Sequence, residues 1–182
     1  MKKSYLTLAI SLLLQVACAT AADLDSAYRE ALFKELNNRK LAGIVVSSLA
    51  EAHEGTSQGE FWLAYSQLEE KQWLIYEEQA KLHELRPGGL LLSLKAHASI
   101  LFARLFPETF INMLAQATHE YASELAALAP PATQQAFWDY VIAQERAQAE
   151  AFQHALQQDY SGAHSVLVGF MASSTSPTNL AR

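Results

Sequence analysis

Cysteine is nearly absent from this chain: Cys18 is the only one in 182 residues. A single thiol excludes an intrachain disulfide, a zinc site built on cysteines and haem attachment through paired cysteines. Glycine (7) and proline (5) are scarce as well, and no glycine-rich phosphate loop is present. The 6 histidines form no His-Glu-x-x-His, and there is no Gly-x-Ser-x-Gly nucleophile turn. Positive charge is also short, with 13 Lys and Arg against 19 Asp and Glu. That balance, without any Lys/Arg cluster, excludes a nonspecific nucleic-acid surface and disfavours charge-driven adhesion of the whole chain to anionic lipid. Segments of alternating apolar and polar residues are missing too, which argues against a β-rich fold.

What is present begins at the amino terminus. Met1, Lys2 and Lys3 give a positive start, Tyr5 to Val16 is largely apolar, and small residues fill Ala17 to Ala22. That order predicts a secretory signal peptide over residues 1–22 and a bacterial periplasmic location. General signal-peptidase sites lie before Thr20 and before Ala22. The lesser alternative is a lipid anchor on Cys18, although Gln15 stands where such signals carry leucine. The apolar run is too short for a lasting membrane span. Removing residues 1–22 leaves 11 basic residues against 19 acids, a formal charge of −8.

Turn signals divide the remainder into helices. Asp23 to about Glu54 carries apolar residues at helical intervals, with Leu32, Leu36, Leu41, Ile44, Val45 and Leu49 among them and Asn37-Asn38 as a weak point. Gly55 stops that helix, Thr56 or Ser57 can cap the next, and Ser57 with Glu60 has capping-box spacing. Glu60 to Leu85 forms an aromatic-rich helix that ends at Arg86-Pro87-Gly88-Gly89. Leu90 to Phe106, the most apolar internal segment, has the length of a buried bundle helix. Pro107 opens a fourth helix reaching about Leu128, and Pro130-Pro131 precedes a last long helix over 133–160. Gly162 to Met171 is a short packing segment, and 173–182 reads as a loose tail. The expected fold is all-α: a single domain over 23–172, a four- or five-helix antiparallel bundle with a short C-terminal packing element.

Two glutamates stand out within apolar stripes. Helical spacing sets Trp62, Tyr65, Trp73 and Tyr76 beside Glu69, and Trp138, Val141, Ile142, Ala149 and Phe152 beside Glu145. A solitary buried charge is costly, so each carboxylate needs a polar network, a raised pKa or a cation. An ordinary polar role is the plainer reading. Tyr65, Trp62, Tyr76 and Trp138, with Gln72 and Gln148, are also candidates to line a ligand pocket between helices. Packing is the default for such aromatics. His154, four residues after Glu150, reads as a surface pair.

Glu69-Glu70-Lys71-Gln72 and Glu145-Arg146-Ala147-Gln148 repeat Glu-x-x-Gln on two long helices. In this the chain resembles the ferritin-like superfamily of helical bundles, whose di-metal members use Glu-x-x-His on two helices. The resemblance implies Glu69 and Glu145 as metal ligands, with Gln72 and Gln148 in the histidine positions. Partner carboxylates would come from Glu35 or Glu51 on the first helix and from Glu120 or Glu124 on the fourth. Iron, manganese or zinc would be the cofactor in that reading.

The leading expectation is a noncatalytic binding or structural role for an exported bundle without a cofactor, recognising an envelope protein. The alternative is a degenerate ferritin-like metal protein or oxidoreductase. Homo-oligomers and a peripheral lipid contact are further candidates. The latter requires the Leu90-Leu91-Leu92 start or Val166 to Met171 to remain exposed after folding.

Overall fold

The computed structural model describes the backbone of residues 21–173 and the side chains of residues 25–173. Residues 1–20, with Cys18 and most of the expected signal peptide, and residues 174–182, expected as a loose tail, lie outside the described residues. Those described are all-helical: α1 (Ala21–Ala52), α2 (Ser57–Leu82), α3 (Leu90–Leu105), α4 (Pro107–Ala127), α5 (Gln135–Leu156) and α6 (Tyr160–Ser173), with a 3₁₀ turn at Ala132–Gln134 before α5. None of these helices is long and apolar enough to cross a membrane.

Local chemistry sets the breaks. Gly55 turns the chain at φ +77°, and the Thr56 hydroxyl accepts a hydrogen bond from the Gly59 amide at 3.0 Å. The cap of α2 is therefore Thr56, the first of the two residues expected to serve. Gly59 is required by close approach, since a β-carbon there would lie 2.0 Å from the His53 carbonyl oxygen. Asn37 does not interrupt α1. Its amide donates to the Phe33 carbonyl, and its Oδ1 accepts from the Gly88 amide, both in hydrogen bonds of ordinary length. Lys40 Nζ donates to the Pro87 carbonyl at 3.1 Å, so the connection from α2 to α3 is tied back onto α1. Pro107 and Glu108 open α4 as expected, where a missing N–H costs nothing and a carboxylate favours the helix dipole.

The hairpins α1–α2 and α4–α5 pair closely, α6 packs across α2 and α5, and α3 lies on α1 and α4. The interior is stacked in three layers. One apolar layer holds Val45, Leu49, Phe61, Trp62, Leu68, Phe110, Phe152 and Leu167. A second, toward the α1 amino terminus, holds Tyr28, Leu32, Leu36, Ile75, Tyr76, Phe137, Trp138 and Val141. Between them on α1, α2 and α5 lie Glu35, Arg39, Glu69, Gln72, Gln144, Glu145 and Gln148, all buried. Each of the three helices thus runs apolar, polar, apolar along its inward face.

Two sequence expectations require correction. The inward face of α1 is set by Tyr28, Leu32, Leu36, Val46 and Leu49, while Ile44 is exposed. More importantly, α3 is not a buried helix. It buries only Ala96 and Ala103, because small residues let it lie close on α1 and α4 while its leucines face outward. By contrast, Val166, Phe170 and Met171 of α6 pack partly against the core.

Candidate functional site

The polar layer is organised by one residue that the glutamate pattern did not single out. Arg39 projects from α1 and is only 5 % exposed. Its Nη1 donates to Glu69 Oε1 at 2.6 Å and to Gln148 Oε1 at 3.0 Å. Its Nη2 donates to Glu145 Oε1, and its Nε lies 3.0 Å from Glu35 Oε1 one turn back. Gln148 Nε2 donates to the same Glu69 oxygen at 2.9 Å. Below this set, the Tyr76 hydroxyl donates to Gln144 Oε1 at 2.9 Å. One guanidinium therefore joins α1, α2 and α5 through three carboxyl groups.

The layer is richer in acid than in base. Burial pushes the Glu69 carboxyl up to about 7 and the Glu145 carboxyl up to about 8, against the downward pull of Arg39. Burial likewise drives the Tyr65, Tyr76 and Tyr121 hydroxyls well above the phenol range. Several polar atoms here have no hydrogen-bond partner: both Glu35 oxygens, Oε2 of Glu69 and of Glu145, Gln72 Oε1 and the Tyr121 hydroxyl. Most buried polar atoms in folded proteins are paired, so a concentration of unpaired ones marks a place where a proton, a water or a ligand belongs.

A cleft of about 540 Å³ reaches this layer. It lies between α1 and α4 with α3 at its edge. Leu41, Val45, Val46, Phe110, Leu114 and Phe152 form apolar walls, and buried Arg39, Tyr65 and Glu145 with half-buried Tyr121 are its polar lining. Lys34, Lys95, Glu120 and Glu124 stand around it. A larger trough of about 1000 Å³ follows the α4–α5 surface past His119, Glu150 and His154. It contains no unpaired buried side chain, and His154 pairs with Asp159 at 2.8 Å rather than with Glu150. Geometry and chemistry converge at the smaller cleft.

The sequence candidates separate accordingly. Glu69 and Glu145 meet across Arg39, and Glu35 joins them from α1. Glu51 is exposed near the far end of α1. Glu124 pairs with Lys34 at 2.8 Å on the surface, and exposed Glu120 accepts from Gln116. Neither Glu51 nor the two α4 glutamates enters the buried layer, because α4 turns Phe110, Ile111, Ala115, Ala122 and Leu125 inward instead. Among the described residues no group of three or more His, Cys, Asp or Glu is placed to hold a metal ion. Of the pocket candidates, Tyr65 lines the cleft, while Gln72, Tyr76 and Gln148 belong to the polar layer and its lower edge. Trp62 and Trp138 are core side chains, the latter donating its indole N–H to the Leu125 carbonyl at 3.0 Å. The signal for Arg39 was its spacing from Leu32, Glu35 and Leu36, which puts an arginine on the buried stripe of α1. No family model matches the chain, and no match was found among the curated proteins or the solved structures.

Proposed function

We propose that this chain is an exported, noncatalytic binding protein whose cleft receives a small molecule with an apolar body and a protonated amine head. The observation that carries the reading is a cleft with apolar walls leading to Glu145, buried and with an unpaired Oε2. A cationic head at that oxygen would satisfy it, and the walls would cover an alkyl or aromatic body. The excess of carboxyl groups over guanidinium favours a cation at this place over an anion. Export is supported by residues 1–22, as read from their composition.

A ferritin-like frame is consistent with two helical hairpins joined by one long connection, here the segment carrying α3. On such a frame, Arg39 stands among the glutamates where a metal reading would put cations. The guanidinium supplies charge to Glu35, Glu69 and Glu145, and hydrogen bonds to the latter two, without open coordination positions. This favours binding over oxygen or redox chemistry.

Calorimetric titration with decylamine, decanol and decanoate tests the reading. The amine should bind most tightly, and near neutral pH its binding should release protons as Glu145 ionises. Ala42 also lines the cleft, and Ala42→Trp, which fills it, should abolish the heat. Equal binding to Ala42→Trp, or no binding of the amine, would overturn the proposal.

A further inference from the structure

The leucines that α3 fails to bury form one continuous stripe. Leu90, Leu91, Leu94, Leu101 and Leu105 are 58–86 % exposed, and Phe106 follows at 54 %. At about 100° per residue, all five leucines fall within roughly 100° of arc. Ala96 and Ala103 occupy the opposite side, against the bundle. Lys95 and Arg104 are exposed on the two flanks of the stripe, Lys95 at the rim of the cleft and Arg104 with Nη2 3.5 Å from Ser48 Oγ, and long aliphatic stems let either charge swing over the stripe. An exposed apolar face of this size on a soluble bundle calls for something to cover it.

Charge identifies the cover. No Asp or Glu occurs between Glu84 and Glu108, whereas Arg86, Lys95 and Arg104 do, in a chain that otherwise carries an excess of acid. The net charge of the whole chain conceals this segregation. A second copy fits poorly, because two such stripes packed together would juxtapose like charges. A flat stripe of leucines between two cations has the form of a helix lying in a membrane interface.

We infer that α3 is a peripheral docking helix for an anionic membrane surface, with the Leu90–Leu105 stripe entering the headgroup–acyl boundary and Lys95 and Arg104 meeting lipid phosphates. It is too short and too interrupted by charge to span. This inference is independent of any ligand in the cleft.

The test uses the chain from Ala21 onward, which retains all six described helices and omits the apolar leader. Flotation with phosphatidylcholine vesicles is compared with flotation in which half the lipid is phosphatidylglycerol. Anionic lipid should raise partitioning by about tenfold or more, and added salt should weaken it. Leu94→Glu with Leu101→Glu should abolish binding with the helical circular dichroism unchanged. Lys95→Gln with Arg104→Gln should leave weak binding but remove the preference for anionic lipid. Absence of binding to either vesicle, or binding unaffected by the leucine substitutions, overturns the inference. So does a dimer that the leucine substitutions dissociate while vesicles fail to bind, which would assign the face to a second copy.

Discussion

Replacing Arg39 by methionine tests the account of the polar layer most directly. The substitution retains an unbranched apolar stem and removes the one cation held by Glu35, Glu69 and Glu145. Removing one partner of a buried ion pair costs about 3–5 kcal/mol when the remaining charge stays uncompensated. Here the remaining charges can take up protons, so the cost must depend on pH. Glu69 and Glu145 already have native pKa values raised from the carboxylate range to about 7 and about 8. Between their unfolded value and those values the native protein holds more protons than the unfolded chain. Wild-type stability therefore falls as pH rises through this window and is greatest near its acid end.

Without the guanidinium, both carboxyl pKa values rise further and the fall becomes steeper. At pH 5 the carboxyls of Arg39→Met are neutral, and the loss should be about 1–2 kcal/mol, from the missing hydrogen bonds. At pH 8 it should approach the full buried-charge penalty of about 3–5 kcal/mol. Urea unfolding at pH 5 and pH 8 measures both, with buried Trp62 and Trp138 as fluorescence reporters of the two apolar layers. Adding Glu69→Gln and Glu145→Gln should recover part of the loss at pH 8 by removing two of the three carboxyl groups that Arg39 faces. An equal loss at both pH values, or a triple variant no more stable than the single one, would refute the electrostatic reasoning.

Gly59→Ala should destabilise the α1–α2 turn by about 1–3 kcal/mol, the range for overpacking a tight contact, because the new methyl meets the His53 carbonyl oxygen; thermal unfolding reads this, and an unchanged melting temperature would contradict the contact. Quantitative metal analysis after exposure to iron, manganese and zinc should find no stoichiometric metal, since Arg39 occupies the space between the carboxylates; near-stoichiometric metal lost in Glu69→Ala, Glu145→Ala would reinstate the metal reading.

The sequence made the helices and most of their breaks legible because Pro107, Pro130-Pro131, Gly55 and Gly88-Gly89 act locally. Glu69 and Glu145 were legible because each interrupts an aromatic stripe whose burial could be inferred from spacing alone. Arg39 was hidden by its surroundings. Its neighbours on the same side of α1 include Glu35, Ala42 and Gly43, so the stripe is weakest where the arginine enters it. Glu-x-x-Gln also repeats on two helices and so marks the anions, whereas the cation between them occurs once and repeats nothing. For α3, composition misled: many leucines suggest a core helix, but burial depends on which face meets the bundle. The informative feature was the opposition of small Ala96 and Ala103 to the leucine stripe, an amphipathic helix turned with its large residues outward. Glu51, Glu120 and Glu124 could not be placed because a carboxylate at the right distance along a helix still requires the right rotation.

The polar layer carries a cost that a uniformly apolar interior would avoid, since well-packed hydrophobic residues often match or exceed a buried ion pair in stability. Its compensating effect here is geometric. Apolar layers above and below could slide by one helical turn and still bury hydrocarbon, because the stripes of α1, α2 and α5 each continue past the centre. A slide of one turn moves Arg39 by about 5.4 Å. That displacement is enough to break its bonds to Glu69, Glu145 and Gln148 together and leave charges unpaired in the interior. One guanidinium thus fixes the register of three helices at once, and it does so at the inner end of the cleft. The unpaired Oε2 of Glu145, one of the atoms that make the layer costly, is also the atom in the cleft that would give a bound cation its place. Register and recognition would then have a single chemical origin, the shortage of positive charge around three buried carboxyl groups.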